Sequence, residues 1–453
     1  MEHTEVKLIE KIQIKLKIFF TKDIKKKMLV FYFVINLMYL LIGSYIFVTE
    51  RITDNFHYED FSIGLKYLFI LNLIVFLVII IKKKYKKNVV HIGIIFAVVF
   101  SIISMLFAID KNIALEGCLG RYEGIFSILY YLTIMLLSTF VKGKYKKIIV
   151  KVLLFCGAFQ AIYAICQSFS FFNVKQIWHT KEYFDERANT MVSDKHVWVT
   201  GLVTHPNFLG TYMLLCLSYS LGLVIDSKKI KSIFFYSLLT ALFMFGLLLS
   251  NTAGCAVGLI IVGILIFVYV IKNKLYKNLI IIITIIISTT FLATKLGKTK
   301  FVEEINKAGS EAVEIAKGNL DDNFGTKRMY VWKKTMKIIP QYLLHGVGID
   351  NFTKAFNGKA LIRKIEDRLC LYDKAHNEYL QMLVTQGIFA LATYLFIYGY
   401  AVLKGTKHAF KNKEIYLVLP VIGYLVQAFF NISVIEVAPM FYIALGLCCS
   451  KEE

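Results

Sequence analysis

The chain contains 453 residues, of which 57% are hydrophobic and 19% are charged, and its formal net charge is +22. This composition excludes an ordinary soluble domain and is typical of a protein that crosses a membrane many times. The positive charge by itself would suit a nucleic-acid-binding protein. Its lysines, however, are distributed among short connections between apolar segments, so no nucleic-acid partner is expected.

Residues 1–27 form a basic segment that precedes the first long apolar run. Within it, Lys7, Lys11 and Lys15 fall on one face of a helix, among isoleucine, leucine and phenylalanine. The pattern predicts an amphipathic helix on the inner leaflet, and a solvated helical lead-in is the alternative. No small-residue cleavage site follows the first apolar run, so we expect no cleavable signal peptide.

Apolar segments follow, each approaching the roughly 20 residues that cross about 30 Å of hydrocarbon. We place them at residues 28–48, 65–81, 89–108, 123–141, 148–171, 206–225, 231–249, 253–271, 278–294, 383–403, 414–432 and 434–449. The predicted fold is an all-α integral membrane protein with about 12 transmembrane helices and one large extracytoplasmic loop that contains short helices. The predicted parts are a cytoplasmic segment (1–27), transmembrane helices 1–9 (28–294), the extracytoplasmic catalytic loop (295–375) and transmembrane helices 10–12 (376–453).

If the N-terminus is cytoplasmic, the connections alternate sides, and the lysine-rich ones, such as residues 82–87 and 142–147, fall inside. Short loops follow this positive-inside rule, so we expect both termini in the cytoplasm. About 16 lysines and arginines lie in the long outer loop, residues 295–375, to which the rule does not apply. A basic loop at the outer membrane surface suits chemistry on an anionic lipid.

His376, at the end of the long loop, is the candidate catalytic residue. Asp373 is a suitable N-cap for a helix that begins near Lys374, which would put His376 in the first turn. Exposed N–H groups at a helix N-terminus disfavour a positive charge, so the imidazole would stay neutral and could accept a proton. Its neighbours Asn377 and Glu378 could orient it or bind a sugar hydroxyl. A capping or interfacial histidine without a catalytic task is the alternative.

Arg328 is a candidate for binding a phosphate. Thr326 is expected to cap a helix that runs to Ile339 and is stopped by Pro340. The guanidinium of Arg328 and the free N–H groups of this helix could both face a phosphate, and Trp332, four residues later, shares its face. An arginine that solvates the membrane surface is the alternative.

Two other outer connections carry candidate residues. Arg121 is flanked by two glycines and by hydrogen-bonding side chains, among them Tyr122, which favours a binding role over simple anchoring at the membrane edge. His205 and Asn207, where the sixth apolar segment begins, either line a cavity or cap a helix. In the same connection, Arg187 and several aromatic side chains could contact a sugar ring.

Motifs for nucleotides and metals are absent from the sequence. There is no GxxxxGK[ST], no Rossmann fingerprint, no HExxH and no Asp-x-Asp, so no metal and no other cofactor is expected. The eight cysteines lack the spacing of a zinc site. Cys118 and Cys370 both fall in outer loops, where a disulfide between them is possible.

Four segments together resemble the O-antigen ligase / O-antigen polymerase family of multispanning glycosyltransferases. They are Gly-Arg-Tyr-Glu-Gly at 120–124, Thr-His-Pro-Asn-Phe-Leu-Gly at 204–210, Arg-Met-Tyr-Val-Trp at 328–332 followed by a proline and by Gly-Val-Gly at 346–348, and Asp-Lys-Ala-His-Asn-Glu-Tyr-Leu at 373–380. The Gly-Val-Gly element also predicts a tight turn. The likeness covers most of residues 115–400. The order and spacing of the segments, with the large outer loop, make the set specific.

The resemblance implies an enzyme of the inner (plasma) membrane that moves a glycan from a polyprenyl pyrophosphate to an acceptor, on the outer side and without metal or nucleotide. It implies that arginines hold the pyrophosphate, a role that falls on Arg121 and Arg328. It also implies that His376 activates the acceptor hydroxyl. The chemistry agrees, because positioned cations stabilise a leaving pyrophosphate and a neutral base can take the hydroxyl proton.

The chain departs from this family in one turn. The family often has an arginine after the seventh helix, whereas residues 250–254 here read Ser-Asn-Thr-Ala-Gly. If the mechanism holds, an arginine from elsewhere must serve, and the candidates are Arg121, Arg187, Arg363 and Arg368.

The favoured hypothesis is a polymerase that joins lipid-linked oligosaccharide repeat units into a surface polysaccharide. A ligase that passes a glycan to another envelope acceptor has the same chemistry and is the first alternative. A non-catalytic transporter or flippase for a lipid-linked sugar is the alternative from a different class. A transporter would be expected to bury charges at mid-membrane, often on broken helices, whereas this chain keeps almost all of its charges at the membrane edges.

Overall fold

The structure is a computed structural model in which residues 22–52, 58–81, 88–118, 121–174, 177–185, 190–357 and 372–450 are described. Several predictions concern residues outside these ranges. They are the N-terminal amphipathic helix, the disulfide of Cys370, and the arginines Arg187, Arg363 and Arg368.

Helices make up most of the described chain. In chain order they are α1 (Lys22–Ile52), α2 (Tyr58–Ile81), α3 (Val89–Leu106), α4 (Lys111–Glu116), α5 (Ile125–Ser138), α6 (Lys144–Phe169), α7 (Pro206–Asp226), α8 (Ile230–Leu249), α9 (Ala253–Asn273), α10 (Tyr276–Lys295), α11 (Phe301–Ala316), α12 (Phe324–Tyr342), α13 (Phe352–Asn357), α14 (Glu378–Gln386), α15 (Ile388–Asn412), α16 (Leu419–Gln427) and α17 (Ala438–Cys449). Short 3-10 turns cover Phe171–Asn173, Ile415–Leu417 and Ala428–Phe430.

Eight of the described helices are long and apolar enough to cross a membrane, namely Ser62–Ile81 of α2, α3, α6, α7, α8, α9, α10 and α15. Four shorter apolar helical segments, at Leu29–Ser44, Ile125–Ser138, Ile415–Phe430 and Ala438–Cys449, fall on the remaining predicted positions. The chain is therefore a helical membrane protein.

Within the described residues, a single β-hairpin is added to the predicted all-α architecture. Strand β1 (Ile177–Asp185) pairs antiparallel with strand β2 (Thr190–Trp198), in a register that joins Ile177 to Trp198 and Asp185 to Thr190. Both strands are rich in aromatic and β-branched residues, which favour extended backbone. This hairpin lies in the polar connection before α7, where the sequence analysis had considered only aromatic contacts to a sugar.

Helix α7 is the centre of the bundle, because its whole apolar stretch is buried inside the protein. It packs against α8, α9 and α16. Its backbone comes very close to the 3-10 turn at Ile415–Leu417, since a Cβ added at Gly222 would lie 2.4 Å from the Cα of Tyr416. Such a glycine lets two backbones approach in a membrane bundle. The first turn of α7 carries Pro206 at the position where its missing N–H costs nothing.

One end of the bundle gathers the long loop and the connections that contact it, and we call it the long-loop end. There the Ser433 hydroxyl donates to Glu123 Oε1 at 2.8 Å, and the Asn431 amide donates to the carbonyl of Asn207 at 3.3 Å. The described segments at this end are residues 109–118, 121–124, 199–208, 250–252, 298–357, 372–377 and 431–436.

The opposite end gathers lysine-rich connections. The Asn88 amide and the Lys404 ammonium both donate to the carbonyl of Cys449, at 2.7 and 2.6 Å. The Tyr269 hydroxyl donates to Asp226 at 3.0 Å. Residues 88, 404 and 449, from three connections or chain ends, therefore lie close together.

Helix α12 in the long loop begins differently from the prediction. Thr326 is not its N-cap, because Gly325, Thr326 and Lys327 all have left-handed backbone, with φ of 62°, 58° and 69°. The Gly325 N–H donates to Glu311 of α11 at 2.9 Å, which fixes this entry, and the regular helix starts at Arg328. Pro340 does not stop the helix. It lies in the last turn, and the helix continues to Tyr342.

The predicted Gly-Val-Gly turn forms, with φ of 74° at Gly346 and 104° at Gly348. The Val347 and Gly348 N–H groups donate to the carbonyls of Val384 and Thr385, at 2.9 and 3.0 Å. These carbonyls belong to the last turn of α14, which has no helical partners for them. The turn thus closes the C-terminal end of the helix that follows His376.

Candidate active site

His376 lies in the short segment before α14, but not where the sequence analysis put it. The N-cap of α14 is Asn377 and not Asp373, so His376 precedes the helix instead of occupying its first turn. Its backbone is left-handed, with φ of 50°. Its Nδ1 is buried and has no hydrogen-bond partner among the described residues.

The His376 imidazole is held neutral by its surroundings. Its pKa is lowered to about 3, mainly by burial and then by the positive charges of Arg328 and Lys374. Asp373 raises the pKa and His205 lowers it, and both effects are smaller. The predicted neutral state is therefore retained, although burial and cations replace the helix N-terminus as its cause.

Arg328 occupies the first regular turn of α12 and faces inward. Its Nε is buried and has no hydrogen-bond partner among the described residues. Burial lowers the pKa of this guanidinium, while Glu311 and Glu304 on α11 oppose that effect. An arginine stays protonated even so. Arg328 is thus a positive charge with unused donor capacity beside His376.

Trp332, one turn further along α12, contacts the segment that carries His376. Its indole Nε1–H donates to the carbonyl of Ala375 at 2.9 Å. Its ring meets the ring of Phe429 edge to face, with centroids 5.4 Å apart. Trp332 thus bonds this segment directly, and Arg328, four residues earlier on the same helix, interacts electrostatically with His376.

Arg121 is brought to the same end of the bundle but is paired with acidic residues. Its Nη2 lies 2.9 Å from Glu123 and its Nε lies 2.9 Å from Asp350. Asp350 also accepts the Cys118 N–H at 2.6 Å, and Glu123 accepts the Tyr131 hydroxyl at 3.1 Å. Two carboxylates offset the charge of this guanidinium, which distinguishes Arg121 from Arg328.

Asp373 connects the two arginine environments. It forms an ion pair with Lys374 at 3.1 Å and interacts electrostatically with both Arg121 and His376. Burial raises its pKa, but Lys374 and Arg121 outweigh burial, and the pKa is lowered overall. Arg121 and Arg328, which come from distant parts of the sequence, thus both interact electrostatically with the segment 373–376, Arg121 with Asp373 and Arg328 with His376.

His205 and Asn207 border this cluster from α7. Nδ1 of His205 accepts the Asn207 N–H at 3.1 Å, so His205 is the N-cap, and its ring meets Trp198 edge to face with centroids 4.7 Å apart. The Thr252 hydroxyl donates to Asn207 Oδ1 at 3.4 Å. The turn at residues 250–254, in which the expected arginine is missing, therefore lies beside the start of α7.

Asn377, Glu378 and Tyr122 have contacts within the protein. Asn377 Oδ1 accepts the Leu380 N–H at 3.0 Å as the cap of α14, and the Tyr424 hydroxyl donates to Glu378 at 2.9 Å. The Tyr122 carbonyl accepts the Ser127 hydroxyl at 3.0 Å. The side chains of Asn377 and Glu378 thus bond within the protein, whereas the Tyr122 contact involves only its backbone, and substrate binding by these residues stays a prediction.

Sequence reasoning missed some members of the cluster. Lys374 was visible beside His376, but it was considered only as the start of a helix. It packs over the Phe208 ring of α7, with its ammonium 5.6 Å from the ring centroid. Asp350 and Glu311 carry no motif signal, and only the preceding Gly-Val-Gly turn could have drawn attention to Asp350.

Comparison with protein-family models gives a match to part of the chain. No curated protein matches the chain. Residues 238–395 match the family model described as O-Antigen ligase. This region runs from α8 into α15 and includes Arg328, Trp332 and His376, whereas Arg121 and His205 precede it. With the four motifs and the membrane helices, the match supports placing this chain in the O-antigen ligase / O-antigen polymerase family of membrane glycosyltransferases.

Proposed function

We propose that this chain is a polymerase of the inner (plasma) membrane, with its site on the extracytoplasmic side and both termini in the cytoplasm. It takes an oligosaccharide from a polyprenyl pyrophosphate and adds it to a growing glycan acceptor. The observation that carries the proposal is that His376 and Arg328, both half-buried and each with an enclosed nitrogen that has no hydrogen-bond partner among the described residues, interact electrostatically at the end of the bundle that holds the long loop.

In the reaction, a hydroxyl oxygen of the acceptor attacks the anomeric carbon of the donor sugar. The bond from that carbon to the pyrophosphate oxygen breaks, and its electron pair leaves with the polyprenyl pyrophosphate. The hydroxyl proton passes to Nε2 of His376, because Nδ1 is enclosed by the protein. Arg328 stabilises the negative charge that grows on the leaving pyrophosphate.

Binding of the donor also makes His376 a better base. Arg328 and Lys374 both lower the pKa of His376 in the free protein. A pyrophosphate bound to these cations offsets their charge, so the pKa of His376 rises towards the pH at which the enzyme works. A general base is most effective when its pKa is close to that pH.

Arg328 is the main pyrophosphate ligand in this proposal, because it has buried donor capacity that no described residue uses. Arg121 has a buried Nη1 without a hydrogen-bond partner among the described residues, and we consider it a second candidate ligand of the pyrophosphate. The charge of Arg121, however, is offset by Glu123 and Asp350. We therefore propose that Arg121 contributes less than Arg328 to pyrophosphate binding. Its main role is to pair with the acidic side chains of Glu123 and Asp350 near the site.

A ligase that passes the glycan to another envelope acceptor would use the same residues, so the identity of the acceptor decides between the two. The transporter alternative gains no specific support from the described contacts.

The experiment is reconstitution of the purified chain in liposomes with a polyprenyl-pyrophosphate oligosaccharide as both donor and acceptor. The proposal predicts products lengthened by whole repeat units, with release of polyprenyl pyrophosphate. Transfer only to an added second acceptor would identify a ligase. Movement of the intact lipid-linked sugar across the bilayer, with no new glycosidic bond, would overturn the proposal in favour of a transporter.

A further inference from the structure

His376 lacks the partner that usually orients a histidine base. Such a base generally has one ring nitrogen held by a carboxylate or another acceptor, while the other nitrogen takes the proton. Nδ1 of His376 has no hydrogen-bond partner among the described residues. If His376 is the base of the proposed reaction, its orientation must come from the backbone.

That backbone is in a conformation that needs support. A φ of 50° is uncommon for a residue with a side chain and persists only where the surrounding structure determines it. The residue after His376 is fixed by α14, because Asn377 Oδ1 accepts the Leu380 N–H and the Asn377 carbonyl accepts the Gln381 N–H at 2.8 Å. The residue before it must be fixed separately.

Ala375 supplies this second fixed point. Ala375 is fully buried, and its backbone N–H and carbonyl are both hydrogen-bonded to side chains. Its carbonyl accepts the Trp332 indole N–H at 2.9 Å, and its N–H donates to Oε1 of Gln381 at 2.8 Å. One bond comes from α12 and the other from α14, so the peptide that precedes His376 is held from two sides.

The bond from Trp332 also links the base to the cation. Arg328 lies on the same helix, one turn before Trp332, and it interacts electrostatically with His376. A single hydrogen bond therefore sets how far His376 stands from the helix that carries the proposed pyrophosphate ligand. Small errors in such a distance can cost about a hundredfold in rate.

We propose that Trp332 and Gln381 are positioning residues that hold His376 in its working orientation through the two backbone groups of Ala375. The inference rests on the proposed function and adds two residues to it. Neither side chain needs to touch the substrate.

The test compares Trp332→Phe and Gln381→Met in the reconstituted transfer assay. Trp332→Phe keeps one aromatic ring near Phe429 and removes the indole N–H together with the fused second ring, and Gln381→Met removes the side-chain amide, including the oxygen that accepts the Ala375 N–H. We expect each to lower kcat about tenfold to a hundredfold. The KM for the donor and its equilibrium binding should stay near the wild-type values, because Arg328 is untouched.

Two matched controls separate positioning from general loss of packing. Gln386→Met removes another buried glutamine of α14, whose Oε1 accepts the Ser101 hydroxyl at 2.9 Å, away from Ala375. Phe429→Leu changes the ring beside Trp332 and keeps the indole N–H. Both should keep kcat within about twofold of wild type.

Unchanged kcat in Trp332→Phe and Gln381→Met would overturn the inference. So would an equal loss in the Gln386→Met control, or a loss of donor binding that parallels the loss of kcat. His376→Ala reports on the proposed function instead. If that variant transfers glycan at the wild-type rate, the base assignment fails, whatever the other variants do.

Discussion

At the scale of single residues, the two arginines that the sequence treated alike have different surroundings. Arg328 is half-buried, and its enclosed Nε has no hydrogen-bond partner among the described residues, while Arg121 is paired with Glu123 and Asp350. The sequence could identify both as candidates from their neighbours and spacing. It could not separate them, because the acidic partner Asp350 is 229 positions away from Arg121 in the chain and lies on another loop.

Arg328→Gln should raise the pKa of His376, since Arg328 lowers it in the wild type. Burial is the larger cause and remains, so the pKa should stay below the usual value near 6.5. Protonation of His376 on acidification would then begin at a higher pH than in the wild type. An NMR titration of histidine-labelled protein, with His376→Ala used to assign the signal, measures the shift. An unchanged or lower pKa in Arg328→Gln would show that the two side chains are not neighbours.

Arg121→Leu should destabilise the protein, because it leaves Glu123 and Asp350 buried without their cation. Removing one partner of a buried ion pair costs about 3–5 kcal/mol. The loss of stability is measured by thermal unfolding in detergent, with the fraction of protein that stays monodisperse as the readout. A variant as stable as the wild type that has lost donor binding would instead place Arg121 among the direct pyrophosphate ligands.

At the scale of elements, the apolar segments were predictable and the ends of elements near the site were not. Apolar runs determine the membrane helices, because hydrocarbon leaves few other options for the backbone. The start of α14 was misplaced because Asp373 and Asn377 are both good N-caps, and the structure uses Asn377, whereas Asp373 interacts with its neighbour Lys374 and with the distant Arg121. The left-handed entry to α12 depends on Glu311, which no local pattern reveals.

The Gly-Val-Gly turn gives an element-scale prediction. Gly346→Ala should destabilise the protein by roughly 2 kcal/mol or more, since φ is 74° and the new Cβ would lie 2.2 Å from the backbone of Thr385. Loss of the turn should also loosen α14 and lower transfer activity. Gly309→Ala in α11 is the control, because nothing lies within 4 Å of the added Cβ. Equal stability of the two variants would contradict this role of the turn.

At the scale of the whole molecule, the candidate site is assembled from connections that gather at one end of the bundle. The lysine-rich connections gather at the other end, as the positive-inside rule leads one to expect for a cytoplasmic face. The alternation of sides, which the sequence analysis took from the apolar segments and the lysine distribution, stays a prediction. The hairpin before α7 was not predicted, because a single pair of strands within a polar connection has no repeating pattern.

Cysteine labelling tests which end faces out. Lys333→Cys in α12 and Lys407→Cys in α15 are exposed positions at opposite ends. In intact cells, a membrane-impermeant thiol reagent should label position 333 and leave position 407 unlabelled until the membrane is permeabilised. The reverse pattern would place the long loop in the cytoplasm and remove the basis for an extracytoplasmic reaction.

The most direct measurement of the central claim is a single-turnover assay of donor cleavage and glycan transfer by His376→Ala, alongside its affinity for the polyprenyl-pyrophosphate donor. We predict that the donor binds with near wild-type affinity while transfer falls by about two to four orders of magnitude, the usual contribution of a positioned general base. Transfer at the wild-type rate with bound donor would contradict the account, because the acceptor proton would then be taken by another group.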